Sequence, residues 1–180
     1  MTEQVIQHTS PYDILIVDDS PDSLKVLSRI LKERGYRVRP TTNGRHALKS
    51  VAARLPDLIL LDVKMPEMDG YAVCRRLKSD TYSRQVPVIF ISALGETAEK
   101  VEGFKAGAVD FITKPFQSEE VLARVDTHLE IGRLRRALEQ LYGAAGDFEA
   151  LVDLYDAALA GELEPKTRLE ILAKQAQICE

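Results

Sequence analysis

Five short apolar segments alternate with segments of helical periodicity, and this alternation constrains the fold more than any other feature of the chain. Short apolar runs bounded by turn residues are typical of buried strands. Strands that alternate with helices are expected to form a parallel sheet with right-handed crossovers and helices on both faces. We therefore predict an α/β fold built on a five-stranded, doubly wound parallel sheet. The predicted strands are residues 13–17, 36–41, 57–61, 86–91 and 108–112.

The helical segments carry start and stop signals. Ser20 and Pro21 are typical of an N-cap and a first helical residue, and Gly35 is typical of the residue that follows a helix. The last helix is predicted to continue without a proline through residues 118–141, beyond the end of the sheet. The small residues at 143–146 are predicted to break it.

Composition excludes several classes of protein. The 180 residues carry 24 basic and 28 acidic side chains, and a net charge of −4 argues against non-specific binding of nucleic acid. Cys74 and Cys179 do not have the spacing of a metal site or of a disulfide framework. Neither a signal peptide nor a membrane-spanning apolar stretch is recognisable. We expect a cytoplasmic protein that contacts neither membrane nor nucleic acid through this chain.

Charged and polar residues follow the predicted strands at the points where they end. Because the carboxyl ends of parallel strands meet at one edge of a sheet, we expect these side chains to lie close together. Crowded carboxylates repel one another unless a cation lies between them, and Mg²⁺ suits a site of carboxylates, water and phosphate. A lysine and a hydroxyl can bind phosphate oxygens. The residues concerned are Asp18, Asp19, Asp62, Ser92 and Lys114.

Residues 13–128 resemble the receiver domain of two-component response regulators. Five motifs occur in the order typical of that family. They are Asp18-Asp19, Asp62 followed by Met65-Pro66 and Met68-Asp69-Gly70, Ser92-Ala93, Phe111, and Lys114-Pro115-Phe116. The resemblance implies a flavodoxin-like sheet with strand order 2-1-3-4-5. It also implies a phosphoacceptor that assists its own phosphorylation and dephosphorylation, rather than an enzyme acting on a separate substrate.

The resemblance assigns the metal and the acceptor. It implies that Asp62 accepts a phosphoryl group from a phosphohistidine on a sensor histidine kinase. It implies that Mg²⁺ is held by Asp19, by Asp62, by Asp18 through water and by the backbone carbonyl of Lys64. A lysine side chain at position 64 is a mild departure from the family pattern, and the lifetime of the phosphoryl group is left open.

The resemblance also assigns the response to phosphorylation. It implies that Ser92, Ala93 and Lys114 bind the phosphoryl oxygens. Ser92 is expected to move inward when these oxygens arrive, and Phe111 is expected to turn inward as a switch residue. Pro115 is a candidate for a cis peptide bond.

The chain is predicted to divide into four segments. These are a flexible tail at 1–12, the receiver domain at 13–128, an extended helix and linker at 129–146, and a helical hairpin at 147–180. In the extended helix, apolar residues at 131, 134, 138 and 141 form a seam of fewer than two heptads. The seam is expected either to extend a homodimer interface made by the last receiver helix or to pack on the segment that follows.

The hairpin has features of a helical repeat. The spacing of Phe148, Leu151 and Tyr155 is similar to that of the first helix of a tetratricopeptide repeat. Such arrays need about three repeats to bury their apolar faces, so a helical-repeat partner, or a chain that continues past Glu180, is expected. The alternative is a hairpin that folds back on the receiver domain or pairs in a dimer.

Two other functions remain open at this point. An Asp-nucleophile phosphohydrolase of the haloacid-dehalogenase type also uses a strand-end aspartate, Mg²⁺ and a lysine. It requires a second acid two residues after the nucleophile, where this chain has Lys64. A DNA-binding regulator would need its effector outside this chain, because no convincing helix-turn-helix pattern follows residue 130.

Overall fold

A computed structural model describes residues 12–93 and 97–145. Five strands form one parallel sheet with the order β2-β1-β3-β4-β5, which confirms the predicted fold class and strand order. The strands are β1 Asp13–Val17, β2 Arg37–Thr41, β3 Leu58–Asp62, β4 Val88–Ser92 and β5 Asp110–Thr113. The first 11 residues of the predicted tail and the predicted hairpin at 147–180, with Phe148, Leu151 and Tyr155, lie outside the described residues.

Helices connect the strands and flank the sheet. Their bounds are α1 Pro21–Glu33, α2 Gly44–Ala53, α3 Gly70–Ser79, α4 Thr97–Lys105 and α5 Ser118–Ala145. The helices α1, α2 and α3 begin at N-caps whose side chains accept a backbone N–H from the first turn, and these caps are Ser20, Asn43 and Asp69. Each cap of this kind stabilises its helix by about 1 kcal/mol.

The core lies in two layers, one on each face of the sheet. Because successive residues of a strand point to opposite faces, Leu15 and Leu61 enter one layer while Ile16 and Leu60 enter the other. All residues of β1, β3 and β4 are buried, as expected for strands covered by helices on both faces. β2 is more exposed and contains Pro40, which is tolerated because β2 is an edge strand.

Four strands begin later than their apolar patterns predict, β2 and β3 by one residue and β4 and β5 by two. β4 begins at Val88 rather than Val86, because the N–H of Val86 donates to Ser83 in a turn. β5 begins at Asp110 rather than Ala108, because the N–H of Ala108 donates to the carbonyl of Gly103 and closes the end of α4. Apolar residues just before a strand can therefore belong to the preceding turn.

The helix α5 continues past the sheet, as its sequence predicts. The described part of α5 includes Gly143 and extends to Ala145, so residues 143–145 do not form the predicted break. Val121, Val125 and Leu129 are buried against the sheet. The chain divides into two compact units between Glu130 and Ile131, within α5. Among the described residues, none of the helices is both long enough and apolar enough to cross a membrane.

Candidate functional site

One lysine joins two buried carboxylates at the carboxyl edge of the sheet. The Nζ of Lys114 donates to Oδ1 of Asp62 at 2.6 Å and to Oδ2 of Asp18 at 2.8 Å. The side chains of Asp18, Asp62 and Lys114 are 0%, 6% and 24% exposed, respectively. Ion pairs with this little solvent are screened weakly, so the attraction between Lys114 and the two carboxylates is stronger than it would be at the protein surface.

The strand register explains why these residues meet. Val17 of β1 pairs with Leu61 of β3, so the acids that follow them, Asp18 and Asp62, occupy the same level of the sheet. Asp18 is fixed further by the backbone N–H of Ser20, which donates to its Oδ1 at 2.9 Å. The same N-cap residue that begins α1 therefore also orients a carboxylate.

Ser92 and Lys114 are joined through the backbone. The N–H of Lys114 donates to the carbonyl oxygen of Ser92 at 2.7 Å, directly after the Ser92–Thr113 pair of the β4–β5 ladder. Ser92 is buried, whereas Ala93, which follows it, is exposed. The peptide bond between Lys114 and Pro115 is cis. The edge thus presents the hydroxyl of Ser92 at the end of β4, the carboxylate of Asp62 at the end of β3 and the ammonium group of Lys114 directly after β5.

The surroundings of the cluster favour the charged form of Lys114 and disfavour the charged form of Asp62. Burial raises the pKa of Asp62, with a further contribution from the negative charge of Asp18, although Lys114 and the backbone N–H of Lys64 act in the opposite direction. Burial alone would lower the pKa of Lys114, but its hydrogen bonds and charge attraction with Asp18 and Asp62 raise it overall. The single positive charge of Lys114 therefore lies between two carboxylates, and the three ionised groups together carry a net negative charge.

The loop after Asp62 is held tightly against the strand. A Cβ added to Gly70 would overlap the backbone oxygen of Asp62 and lie 3.0 Å from Cα of Val63, so only glycine fits. The N–H of Gly70 donates to Val63 at 2.9 Å. Glu67 has a φ of 64°, a left-handed conformation that costs about 1–3 kcal/mol for a non-glycine residue. The sequence identifies Gly70 as part of a motif, and the structure supplies the close approach that requires it.

An open groove lies beside this loop. Its lining residues are Asp19, Val63, Lys64, Met65, Pro66, Asp69 and Tyr71. Asp19 is exposed, in contrast to its buried neighbour Asp18. Tyr71 was missed by the sequence reasoning, although its position directly after Gly70 was a signal that could have identified it.

The carboxylates have the chemistry that a divalent cation requires. Asp18, Asp19 and Asp62 supply hard oxygen donors near one sheet edge, and one lysine leaves their negative charge uncompensated. In the ranges 12–93 and 97–145, no three acidic, histidine or cysteine side chains are already grouped as metal ligands. The donors fit Mg²⁺ by their chemistry, and the predicted ligand set of these three acids and the Lys64 carbonyl stays a prediction.

Phe111 lies inward in the structure, within a row of four aromatic rings. It is 7% exposed, and its ring centroid lies 5.5 Å from that of Phe90 and 5.0 Å from that of Phe104. Phe90 in turn lies 5.2 Å from Tyr71, which lines the groove. The ring of Phe111 is already buried in this structure, which describes one position of the ring. The predicted inward movement therefore stays a prediction.

A comparison with known families decides the assignment. Residues 14–126 match the model of the response regulator receiver domain. The chain belongs to this family. Its receiver domain carries the fold of two-component response regulators, and this membership argues against the phosphohydrolase alternative.

Known relatives of the receiver domain include longer regulators. It is 44% identical over 112 residues to the response regulator PleD of Caulobacter vibrioides, a match that covers 62% of this chain and 25% of PleD. A Vibrio cholerae protein named a probable cyclic di-GMP phosphodiesterase is 33% identical over 186 residues, covering 97% of this chain and 42% of that protein. The chain therefore spans about a quarter to a half of the length of these two relatives.

Solved structures support the same fold. The receiver domain of a signal transduction histidine kinase from Syntrophus aciditrophicus is 43% identical, with a TM-score of 0.62, covering 66% of this chain and 90% of the other. The receiver domain of the sensor histidine kinase PA1611 of Pseudomonas aeruginosa is 29% identical, with a TM-score of 0.64, covering 67% and 99%. That structure has magnesium coordinated in its active-site cleft.

Proposed function

We propose that the receiver domain accepts a phosphoryl group on Asp62 from a phosphohistidine of a sensor histidine kinase and thereby switches a protein–protein interaction. The observation that carries the proposal is the contact of Lys114 with both Asp62 and Asp18 at the carboxyl edge of the sheet. This contact brings together a buried carboxylate, a second acid and a cation, which are groups that the transfer of a phosphoryl group to a carboxylate uses.

In the proposed reaction, a carboxylate oxygen of Asp62 attacks the phosphorus atom. A P–O bond to Asp62 forms while the P–N bond to histidine breaks, and the electron pair of that bond returns to the imidazole nitrogen. Lys114 supplies positive charge beside Asp62, where the phosphoryl oxygens would arrive. The backbone of Lys114 is tied to Ser92, whose hydroxyl would bind another phosphoryl oxygen together with the backbone near Ala93.

Charge balance supports a role for Mg²⁺. Asp18, Asp19, Asp62 and the Lys64 carbonyl would hold the ion, which would neutralise charge on the phosphoryl oxygens. Burial is the main cause of the raised pKa of Asp62, and a cation bound beside this carboxylate would offset the cost of its buried negative charge. The magnesium in the cleft of the PA1611 receiver domain is consistent with the same arrangement.

We further propose that phosphorylation of the receiver domain is communicated to other proteins through α5. In this proposal the receiver domain covers residues 13–128, the extended helix and linker cover 129–146, and a helical hairpin covers 147–180. Ile131 and Leu134 are 56% and 48% exposed on the extension of this helix. The similarity to the Vibrio cholerae protein covers 97% of the chain, so it includes this region. A homodimer seam or a helical-repeat partner would cover these side chains, and sedimentation with and without beryllofluoride would distinguish a dimer from a monomer.

The test of the switch uses beryllofluoride, which mimics a phosphoryl group on a carboxylate. Adding it with Mg²⁺ to the full chain should shift amide NMR signals near Asp62, Phe111 and α5. Asp62→Asn should show no such shifts, whereas Asp22→Asn, at a side chain that is 92% exposed, should respond like wild type. An unresponsive wild-type protein would contradict the proposal.

A further inference from the structure

The ring of Phe111 lies beneath α4 at the position of a helical glycine, Gly103. A Cβ added to Gly103 would overlap Cζ of Phe111, lie 2.8 Å from its Cε1 and lie 3.0 Å from Cδ2 of Phe90. Carbon atoms in contact are normally about 3.5–4.0 Å apart. The inward ring of Phe111 and any side chain at position 103 therefore require the same space.

Backbone conformation does not explain the glycine at this position. Gly35 and Gly107 have φ values of 95° and 97°, where glycine is strongly favoured. Gly103 instead lies inside α4, where glycine is disfavoured relative to alanine by about 1 kcal/mol. The packing of Phe111 supplies the missing reason, because a larger residue would exclude the ring.

The ring of Phe111 contacts another aromatic ring on each of its two sides. Toward the groove, Phe111 contacts Phe90, which contacts Tyr71. Toward solvent, it meets the ring of Phe104, which is 54% exposed on α4. Moving Phe111 would alter packing next to the groove and on the outer surface of α4 together.

We propose that Gly103 is a positioning residue for Phe111: the space left by its missing side chain holds the ring inward and couples the candidate site to the outer face of α4. This inference rests on the proposed function of Phe111 as a switch. The structure shows the arrangement in which the ring fills the space, and an arrangement in which the ring leaves it would make α4 and the ring an element with two exclusive states. Such an element is the physical basis that a coupling between two sites requires.

The position of the ring can be measured directly in the full chain labelled with 2-fluorophenylalanine, whose fluorine is attached at Cδ rather than at the Cζ and Cε1 atoms that lie closest to position 103. The chain has five phenylalanines, and Phe111→Leu identifies the ¹⁹F signal of residue 111. Without any phosphoryl analogue, Gly103→Ala should move this signal toward that of a solvent-exposed ring. Gly132→Ala is the matched control, because its nearest neighbour would be Nη1 of Arg136 at 3.7 Å. An unchanged signal in Gly103→Ala would overturn the inference.

A double-variant cycle separates this role from a general packing defect. Gly103→Ala alone should lower Tm by about 2–10 °C, as expected for overpacking of a core. In the Phe111→Leu background the clashing ring atoms are absent, so the same substitution should cost much less. An equal loss of Tm in both backgrounds would contradict the proposal, as would a double variant that does not fold.

Beryllofluoride with Mg²⁺ distinguishes failure of this inference from failure of the proposed function. If wild type does not respond, the switching function fails, while displacement of the ring in Gly103→Ala would still support the positioning role. If wild type responds and Gly103→Ala responds with the same shifts on α4, the coupling through Gly103 is overturned. We expect wild type to respond and Gly103→Ala to lose most of the α4 shifts while retaining those beside Asp62.

Discussion

The ammonium nitrogen of Lys114 lies 2.6 Å from Oδ1 of Asp62, although the two residues are 52 positions apart in the chain. Lys114 also contacts the fully buried Asp18, so two acids depend on one cation. Loss of that cation would leave two carboxylates facing each other with little solvent. The stability of the fold and the chemistry of the site are therefore linked through one side chain.

Replacing the cation should make the fold sensitive to pH. Lys114→Met should lower the free energy of unfolding at pH 7 by about 1.5–3 kcal/mol, the usual magnitude for hydrogen bonds to charged groups. The pKa of Lys114 is raised in the fold, so its contribution is fully present below its unfolded pKa and is lost only as pH rises through its folded pKa. Urea unfolding at pH 7 and at pH 4.5 measures the effect.

Although Lys114 is charged at both pH values, the deficit should shrink at the lower pH, because Asp62, whose pKa is raised by burial, becomes protonated and no longer repels Asp18. Lys25→Met is the control, since Lys25 is 78% exposed and its ion pair with Asp22 spans 3.6 Å. A deficit of the same size at both pH values would show that lost packing, rather than lost charge, is responsible.

The ion pairs around Asp110 are expected to control how the stability of the fold decreases at acidic pH. Asp110 accepts from Nη1 of Arg124 at 2.7 Å and from the Phe111 backbone at 2.7 Å, and Nε2 of His128 lies 3.1 Å from its Oδ2. Burial would raise the pKa of Asp110, but these partners outweigh it and lower the pKa overall. A lowered folded pKa gives stability that is present above the unfolded value, about 3.9, and is lost as pH falls through the folded value.

Asp110→Asn should accordingly be less stable than wild type at pH 6 by about 0.5–1 kcal/mol, and the difference should fade below about pH 4. Thermal unfolding across this pH range tests the prediction, with Asp22→Asn as an exposed control. A difference that persists undiminished at pH 3 would rule out the charge interaction as its source.

The loop after Asp62 should tolerate no side chain at position 70. Gly70→Ala should destabilise the fold by at least about 1–3 kcal/mol, because the new Cβ would overlap the Asp62 backbone oxygen, which cannot rotate away. Denaturant unfolding measures the loss. Gly132→Ala should be neutral or stabilising, since it removes a glycine from a helix without a clash. Equal stability of Gly70→Ala and wild type would refute this account of the loop.

Much of the fold follows from patterns within single segments. The limits of β1 match the prediction because its apolar run ends just before the acid pair and the N-cap signal of Ser20. The starts of β4 and β5 were wrong because turns compete for the N–H groups of Val86 and Ala108, which a local apolar pattern does not reveal.

The sequence predicts which residues belong to the candidate site, but it does not predict the contacts between them. The alternation of strands and helices brings Asp18, Asp62 and Lys114 to one edge. The register and side-chain directions then decide that Lys114 bridges the two acids. The spatial reason for glycine at 70 and 103 depends on residues distant in sequence or packed across elements, so it could not be read from a motif.

Intact-mass spectrometry tests most directly whether Asp62 accepts a phosphoryl group. The full chain is incubated with a small acyl phosphate and Mg²⁺ at neutral pH, alongside Asp62→Asn and the exposed-site control Asp22→Asn. We predict that wild type and the control each gain the mass of one phosphoryl group, only when Mg²⁺ is present, and that Asp62→Asn gains none. Equal phosphorylation of Asp62→Asn, or none of wild type, would contradict the account.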